Sequence, residues 1–153
     1  MERRSLLRNV YLFSDFTDAE LERIEQIAQP QDCNGSVELF REGQAADSLL
    51  IIKHGSVQIA QSGDNNTIIM ATLGSGAHFG EMSFLDGEPR SATARSLEDS
   101  ELVVIPYARL RAELEAQPAL AAKLYRALAL YLGGRLRATS TDLNFARSRK
   151  PAR

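Results

Sequence analysis

The chain has 153 residues, 44% hydrophobic and 25% charged, with a net charge of −2 at neutral pH. That length suits one domain with its own core, and so small a net charge gives no reason to expect binding to nucleic acid or a membrane surface. The single cysteine, Cys33, excludes an internal disulfide and any four-cysteine zinc or iron–sulfur site; with no apolar run long enough for a signal peptide or a bilayer span, a cytoplasmic protein is expected.

Residues up to Phe13 mix Arg3, Arg4 and Arg8 with Leu6, Leu7, Val10, Tyr11 and Leu12, which predicts a short amphipathic helix. Thr17-Asp18-Ala19-Glu20 is a capping box that opens a second helix, with Leu21, Ile24, Ile27 and Ala28 on one face and Pro30 at its end. From Gln31 the pattern changes to short apolar runs. Strands are expected at Gln31–Cys33, with Cys33 buried, and at Val37–Arg41, Ser48–Lys53, Val57–Gln61, Ile68–Leu73, Ser91–Arg95 and Leu102–Ile105. Asn34-Gly35, His54-Gly55 and Gly63-Asp64-Asn65-Asn66 supply turn residues tolerant of left-handed backbone. Strands so closely spaced, mostly without helices between them, point to an antiparallel barrel or sandwich.

Within this region Gly80 to Ala94 carries the chemistry. A glycine and Glu81 open it, Asp86-Gly87 turns it, and Arg90 stands just before the next strand. A short helical turn there leaves free backbone N–H groups that favour an anion, and Arg90 offers a planar fork for a phosphate. A carboxylate beside an anion site is repulsive unless it reaches a hydroxyl donor, and a ribose 2′-OH is such a donor. Together these groups suggest a nucleotide. The only histidines, His54 and His78, are too few for a clustered metal site, and no nucleophile–base set or carboxylate pair stands out, so no catalysis is expected.

The remainder is expected to be helical. Pro106 is placed at the first position of a helix that turns Leu110 and Leu114 inward. Pro118 starts a longer helix with Leu120, Leu124, Leu128, Leu132 and Leu136 on a stripe widened by Ala121, Ala127 and Tyr131, more than one helix needs to sit on a barrel. Gly133-Gly134 within it reads as a hinge, a close approach of another backbone, or a tolerated weak spot.

The run Phe79-Gly80-Glu81-Met82-Ser83, followed by Pro89-Arg90-Ser91-Ala92-Thr93-Ala94, resembles the phosphate-binding cassette of cyclic nucleotide-binding domains. That family includes the bacterial catabolite activator proteins, the protein kinase A regulatory subunit and the cyclic-nucleotide-gated channels. The resemblance extends from about Val10 to about Ala146, and Glu42-Gly43, Asp47 and Gly55 match its usual turn residues. It implies an α+β fold, an antiparallel β-roll flanked by N-terminal helices and a long C-terminal helix. It also implies that Glu81 holds the ribose 2′-OH and Arg90 the cyclic phosphate, with Ser91 and the amides after Gly80 helping to hold phosphate and base. Phe79, Met82, Ser83 and Ala92 complete the candidate cassette set.

Arg135-Leu136-Arg137-Ala138-Thr139-Ser140 resembles the dimerisation helix of the activators, where a Thr-Ser pair contacts adenine from the two subunits. Carried over, Thr139 and Ser140 read the purine and favour cAMP, with cGMP the alternative ligand. The activators' DNA-binding helix-turn-helix would begin after Phe145, where only Ala146 to Arg153 remain. The expected division is a helical segment over 1–30, a β-roll over 31–105 with its cassette at 79–94, lid or dimerisation helices over 106–146, and a basic tail over 147–153. The expectation is a stand-alone cAMP sensor without a DNA-binding domain, reporting to an unknown effector protein or through its own homodimer. The competing readings are an interaction module without ligand and a fragment of a transcriptional regulator.

Overall fold

The computed structural model describes residues 2–148, with side chains over 4–141. Two four-stranded antiparallel sheets form the roll. Its strands are β1 (Gln29–Cys33), β2 (Glu38–Phe40), β3 (Ser48–His54), β4 (Val57–Ser62), β5 (Thr67–Leu73), β6 (His78–Phe79), β7 (Thr93–Ser96) and β8 (Ser100–Pro106). One sheet runs in the order β1-β8-β3-β6, the other β2-β7-β4-β5. The helices are α1 (Glu2–Arg8), α2 (Asp18–Ile27), α3 (Met82–Asp86), α4 (Tyr107–Ala116) and α5 (Pro118–Ser148), with a 3-10 turn at Tyr11–Phe13. This is the expected α+β architecture of a β-roll flanked by helices.

The unbroken apolar run of β3 has a direct cause. Successive strand residues face opposite sides, and both sides of this strand are covered. Leu50 and Ile52 point into the roll with Val57, Phe79, Ala94 and Leu102. Leu49 and Ile51 point outward, where Val103 and Ile105 of β8 join them against the helices. That outer core holds Leu21 and Ile24 of α2, Leu110 and Leu114 of α4, and Leu120, Leu124 and Leu128 of α5. The first half of α5 is thereby bolted to the sheet that carries the cassette. Beyond it the leucine stripe leaves the body: Leu132 is half-buried and Leu136 is 68% exposed.

Several boundaries differ from expectation for local reasons. The N-terminal segment is not one helix: it breaks after Arg8 and resumes as the 3-10 turn. Helix α2 begins after Thr17 with both capping-box bonds formed, but ends at Ile27, and Gln29 and Pro30 join β1 opposite Val104 and Val103. Proline is tolerated there because β1 lies at a sheet edge. For the same reason Cys33 is only half-buried rather than buried. Pro106 closes β8 in an extended conformation, so α4 starts one residue later than expected. The two-residue β6 was not expected, and the strand placed at Ser91–Arg95 is shifted to Thr93–Ser96. Helix α5 runs unbroken through Gly133-Gly134, and among the described residues nothing beyond their own stretch of helix lies within 4 Å of where their side chains would be. Of the expected basic tail, residues 147–148 continue α5 and residues 149–153 lie outside the described residues. No helix among the described residues is long and apolar enough to cross a membrane.

The capping box also ties the helical layer together. The Glu20 carboxylate accepts from the Thr17 N–H at 2.8 Å and from Lys123 Nζ of α5 at 2.6 Å. Partial burial pushes its pKa up, but the bonds to Lys123 and Thr17 outweigh burial and hold it below the ordinary carboxylate value. A depressed folded-state pKa stabilises above the unfolded value and is lost as pH falls through the folded one. Glu20→Ala is expected to lower stability near neutral pH by about 1–2 kcal/mol. Urea unfolding across the acid range checks this, with the gap to wild type shrinking below about pH 4.

Candidate functional site

The site is built where β6 runs into α3 and where the chain returns at Arg90. Gly80 joins the two elements with φ +86°. An added Cβ there would stand 2.6 Å from Arg90 Nη1 and 3.2 Å from the Ser48 carbonyl. Glycine is required for both conformation and space. Glu81 follows as the residue capping α3, whose first amides precede any intrahelical bond and are free to face an anion.

Arg90 is buried, with 5% of its surface exposed, and its hydrogen-bond partners among the described residues are all neutral. Nη1 donates to the Gly80 carbonyl at 3.2 Å and to the Tyr107 hydroxyl at 3.0 Å, and Nη2 donates to the Ser48 carbonyl at 2.8 Å. The guanidinium lies 4.0 Å over the centre of the Phe40 ring. Its Nε–H is buried with no acceptor among the described residues. A cation taken out of water is expensive unless paired, and stacking on a ring repays only part of that. The geometry therefore leaves a positive charge and a free donor for an anion. Tyr107, the first residue of α4, donates its hydroxyl to the Gly80 carbonyl as well. Burial raises its pKa, Arg90 opposes this and Glu81 adds to it; the net rise keeps the phenol a donor at neutral pH. Cassette and helical layer are thus joined by a direct hydrogen bond.

Glu81 is equally buried, at 4% exposed. Its Oε2 lies 3.6 Å from His78 Nδ1 and its Oε1 lies 3.8 Å from Arg135 Nη1 of α5. Both distances exceed a hydrogen bond, so the carboxylate keeps lone pairs open to a hydroxyl donor. Tyr131, one helical turn before Arg135, packs on the His78 ring with centroids 4.5 Å apart. Burial, with Glu81 adding to it and Arg135 opposing it, raises the Tyr131 pKa.

The expected residues thus divide. Gly80, Glu81 and Arg90 are brought together in the cassette, and Phe79 packs beneath it on Phe40. Ser83 and Ala92 are buried, whereas Met82 and Ser91 are exposed at its rim. The Ser91 carbonyl accepts from Gln61 Nε2 at 2.9 Å. Thr139 and Ser140 are exposed on α5, and the Thr139 hydroxyl donates to the Arg135 carbonyl of its own helix at 3.0 Å. Thr139 follows Arg135 by four residues and so shares the helix face that meets Glu81. Six participants were missed from sequence: Phe40, Ser48, His78, Tyr107, Tyr131 and Arg135. The four-residue spacing of Tyr131, Arg135 and Thr139 was the available signal for one polar face of α5.

Comparison with known proteins identifies the family. Residues 35–117, which hold the whole cassette, match the family model described as the cyclic nucleotide-binding domain. The CRP-like cAMP-activated global transcriptional regulator of Mycobacterium tuberculosis is 27% identical over 139 residues, covering 90% of this chain and 60% of the relative. A crystal structure of a cyclic nucleotide-binding domain from Methylobacillus flagellatus KT superposes with a TM-score of 0.81 at 26% identity, over 99% of this chain and 84% of that one. The regulatory domain of Toxoplasma gondii PKA, crystallised with cAMP, gives 0.70 at 25% identity over 72% of this chain and 42% of that one. This chain spans only 34% and 22% of the length of two curated relatives that are 30% and 32% identical to it. With residues 35–117, more than half of its length, matched by that family model, the chain belongs to the cyclic nucleotide-binding domain family.

Proposed function

We propose that this domain is a cAMP sensor whose occupancy is transmitted through α5. The observation that carries the reading is Arg90, a buried guanidinium whose hydrogen-bond partners among the described residues are all neutral and whose Nε–H has no acceptor among them. In this reading the cyclic phosphate takes Arg90 and the free cassette amides, the ribose 2′-OH takes Glu81, and Thr139 and Ser140 meet the base. The cAMP-activated regulator and the cAMP-bound PKA domain among its relatives favour cAMP over cGMP.

Transmission follows from two contacts that the ligand would disturb. The 2′-OH enters beside the Glu81–Arg135 contact, and the phosphate competes for the guanidinium that holds Tyr107. Ligand shifts the helices only by its difference in affinity for their two arrangements. Two charge-assisted bonds of about 1.5–3 kcal/mol each, made in one arrangement alone, are enough to move a balanced equilibrium almost fully. Leu130 and Leu136 are exposed on α5, and a homodimer through that helix would cover them. The output is then the dimer itself or an effector protein, and the domain acts by binding rather than by catalysis.

Hydrogen exchange read along α5 tests transmission. Saturating cAMP is expected to slow exchange of the amides from Tyr131 to Ser140 severalfold, while the strand β5 changes little. Unchanged exchange in α5 with the cassette protected would mean a binding site without the proposed output.

A further inference from the structure

The reading above leaves His78 without a task. It sits in β6 opposite Ile51 of β3, so the backbone ladder fixes its position. Its side chain is buried, yet Nδ1 has no hydrogen-bond partner among the described residues. That nitrogen points at Glu81 Oε2 from 3.6 Å, and the ring packs on Tyr131 in a tilted pair. A packing residue at this place needs no ring nitrogen, and a buried polar atom left bare is unfavourable.

We propose that His78 is a positioning residue for the Glu81 end of the site, and that its protonation tightens binding of an anionic cyclic nucleotide. The inference rests on the nucleotide reading above. Imidazole is the side chain that ordinarily gains a proton between about pH 8 and pH 5. The groups facing it are few. Glu81 comes from the cassette, and Tyr131 and Arg135 come from α5, with Arg135 lying over the Tyr131 ring and reaching Glu81. Tyr11 of the 3-10 turn packs against Tyr131, and β3 contributes only the aliphatic Ile51 at the paired position.

Protonation acts twice in the same direction. A proton on Nδ1 gives Glu81 a charged donor, fixing the carboxylate and offsetting the repulsion between it and an incoming phosphate. The positive ring is also held more strongly against the Tyr131 ring, whose centre lies 4.5 Å away, which keeps α5 over the ribose end of the site. An anion that binds better to the protonated protein must, by linkage, draw protons onto the protein as it binds.

Titration calorimetry of the full chain with cAMP at about pH 8 and about pH 6 reads this directly. The dissociation constant is expected to fall about three- to tenfold on acidification, as one added charge near an anion allows. Buffers of different ionisation enthalpy at intermediate pH are expected to reveal net proton uptake. His78→Phe keeps a ring against Tyr131 and should bind at the higher pH with its pH slope flattened; His78→Gln should do the same without the ring. His54→Gln, at the far end of β3, should keep the wild-type slope. An unchanged slope in both His78 variants overturns the inference, as does the absence of proton uptake in the wild type, which needs no variant. Failure of the wild type to bind at either pH overturns the nucleotide reading and this inference with it.

Discussion

Arg90→Ala is expected to weaken cyclic-nucleotide binding by about 30-fold or more, the loss that follows when one partner of a buried charge pair is truncated. It is also expected to lower the melting temperature, which the sequence alone did not anticipate. The guanidinium fills the space between the Phe40 ring and the Gly80 and Ser48 carbonyls, and its removal strips those carbonyls and the Tyr107 hydroxyl of a donor. Arg90→Lys separates the two effects. It keeps the charge but loses the planar fork, so affinity should fall while much of the stability returns. Calorimetry and thermal unfolding on both variants check the pair of results. Wild-type affinity in Arg90→Ala would show that the ligand does not use this charge.

Glu81→Gln is expected to give the second largest effect, a loss of about 10- to 100-fold for a ligand bearing a ribose 2′-OH, because a hydrogen bond to a charged acceptor is replaced by one to a neutral amide. Part of that loss is offset, since removing a carboxylate also removes its repulsion of the phosphate. The sharper measure is the difference between cAMP and its 2′-deoxy analogue. The wild type should discriminate strongly and the variant clearly less, a double cycle that isolates the contact. Equal discrimination in both proteins would assign the 2′-OH to another residue.

How much of this was legible in sequence differs from one element to another. The capping box at Thr17 needed only residues three apart, and it forms as read. The strands around Ile51 and Val103 were visible because both faces of their sheet are buried, which leaves continuous apolar runs. β6 was invisible, since two residues cannot display a period of two. The onset of β7 was misplaced because the Arg90 backbone pairs with the loop before β3, its N–H donating to the Gln44 carbonyl and its own carbonyl accepting from the Gly43 N–H. No local pattern announces such a distant pairing.

The site divides along the same line. Gly80, Glu81 and Arg90 lie within one short stretch and were read together. The residues that set their state come from elsewhere: Phe40, Ser48 and Tyr107 around Arg90, and His78 and Arg135 around Glu81. Tyr107 was the least accessible of these, because it reads locally as an apolar residue opening a helix. Its hydroxyl acquires meaning only when the roll brings Gly80 to it.

The most direct test of the account is titration calorimetry of the full chain, first freed of any bound nucleotide, with cAMP and separately with cGMP. Saturable binding of cAMP at one site per chain, with cGMP weaker, is the expected result. Saturation by neither nucleotide would contradict the account, leaving Arg90 and Glu81 as buried charges that serve the fold alone.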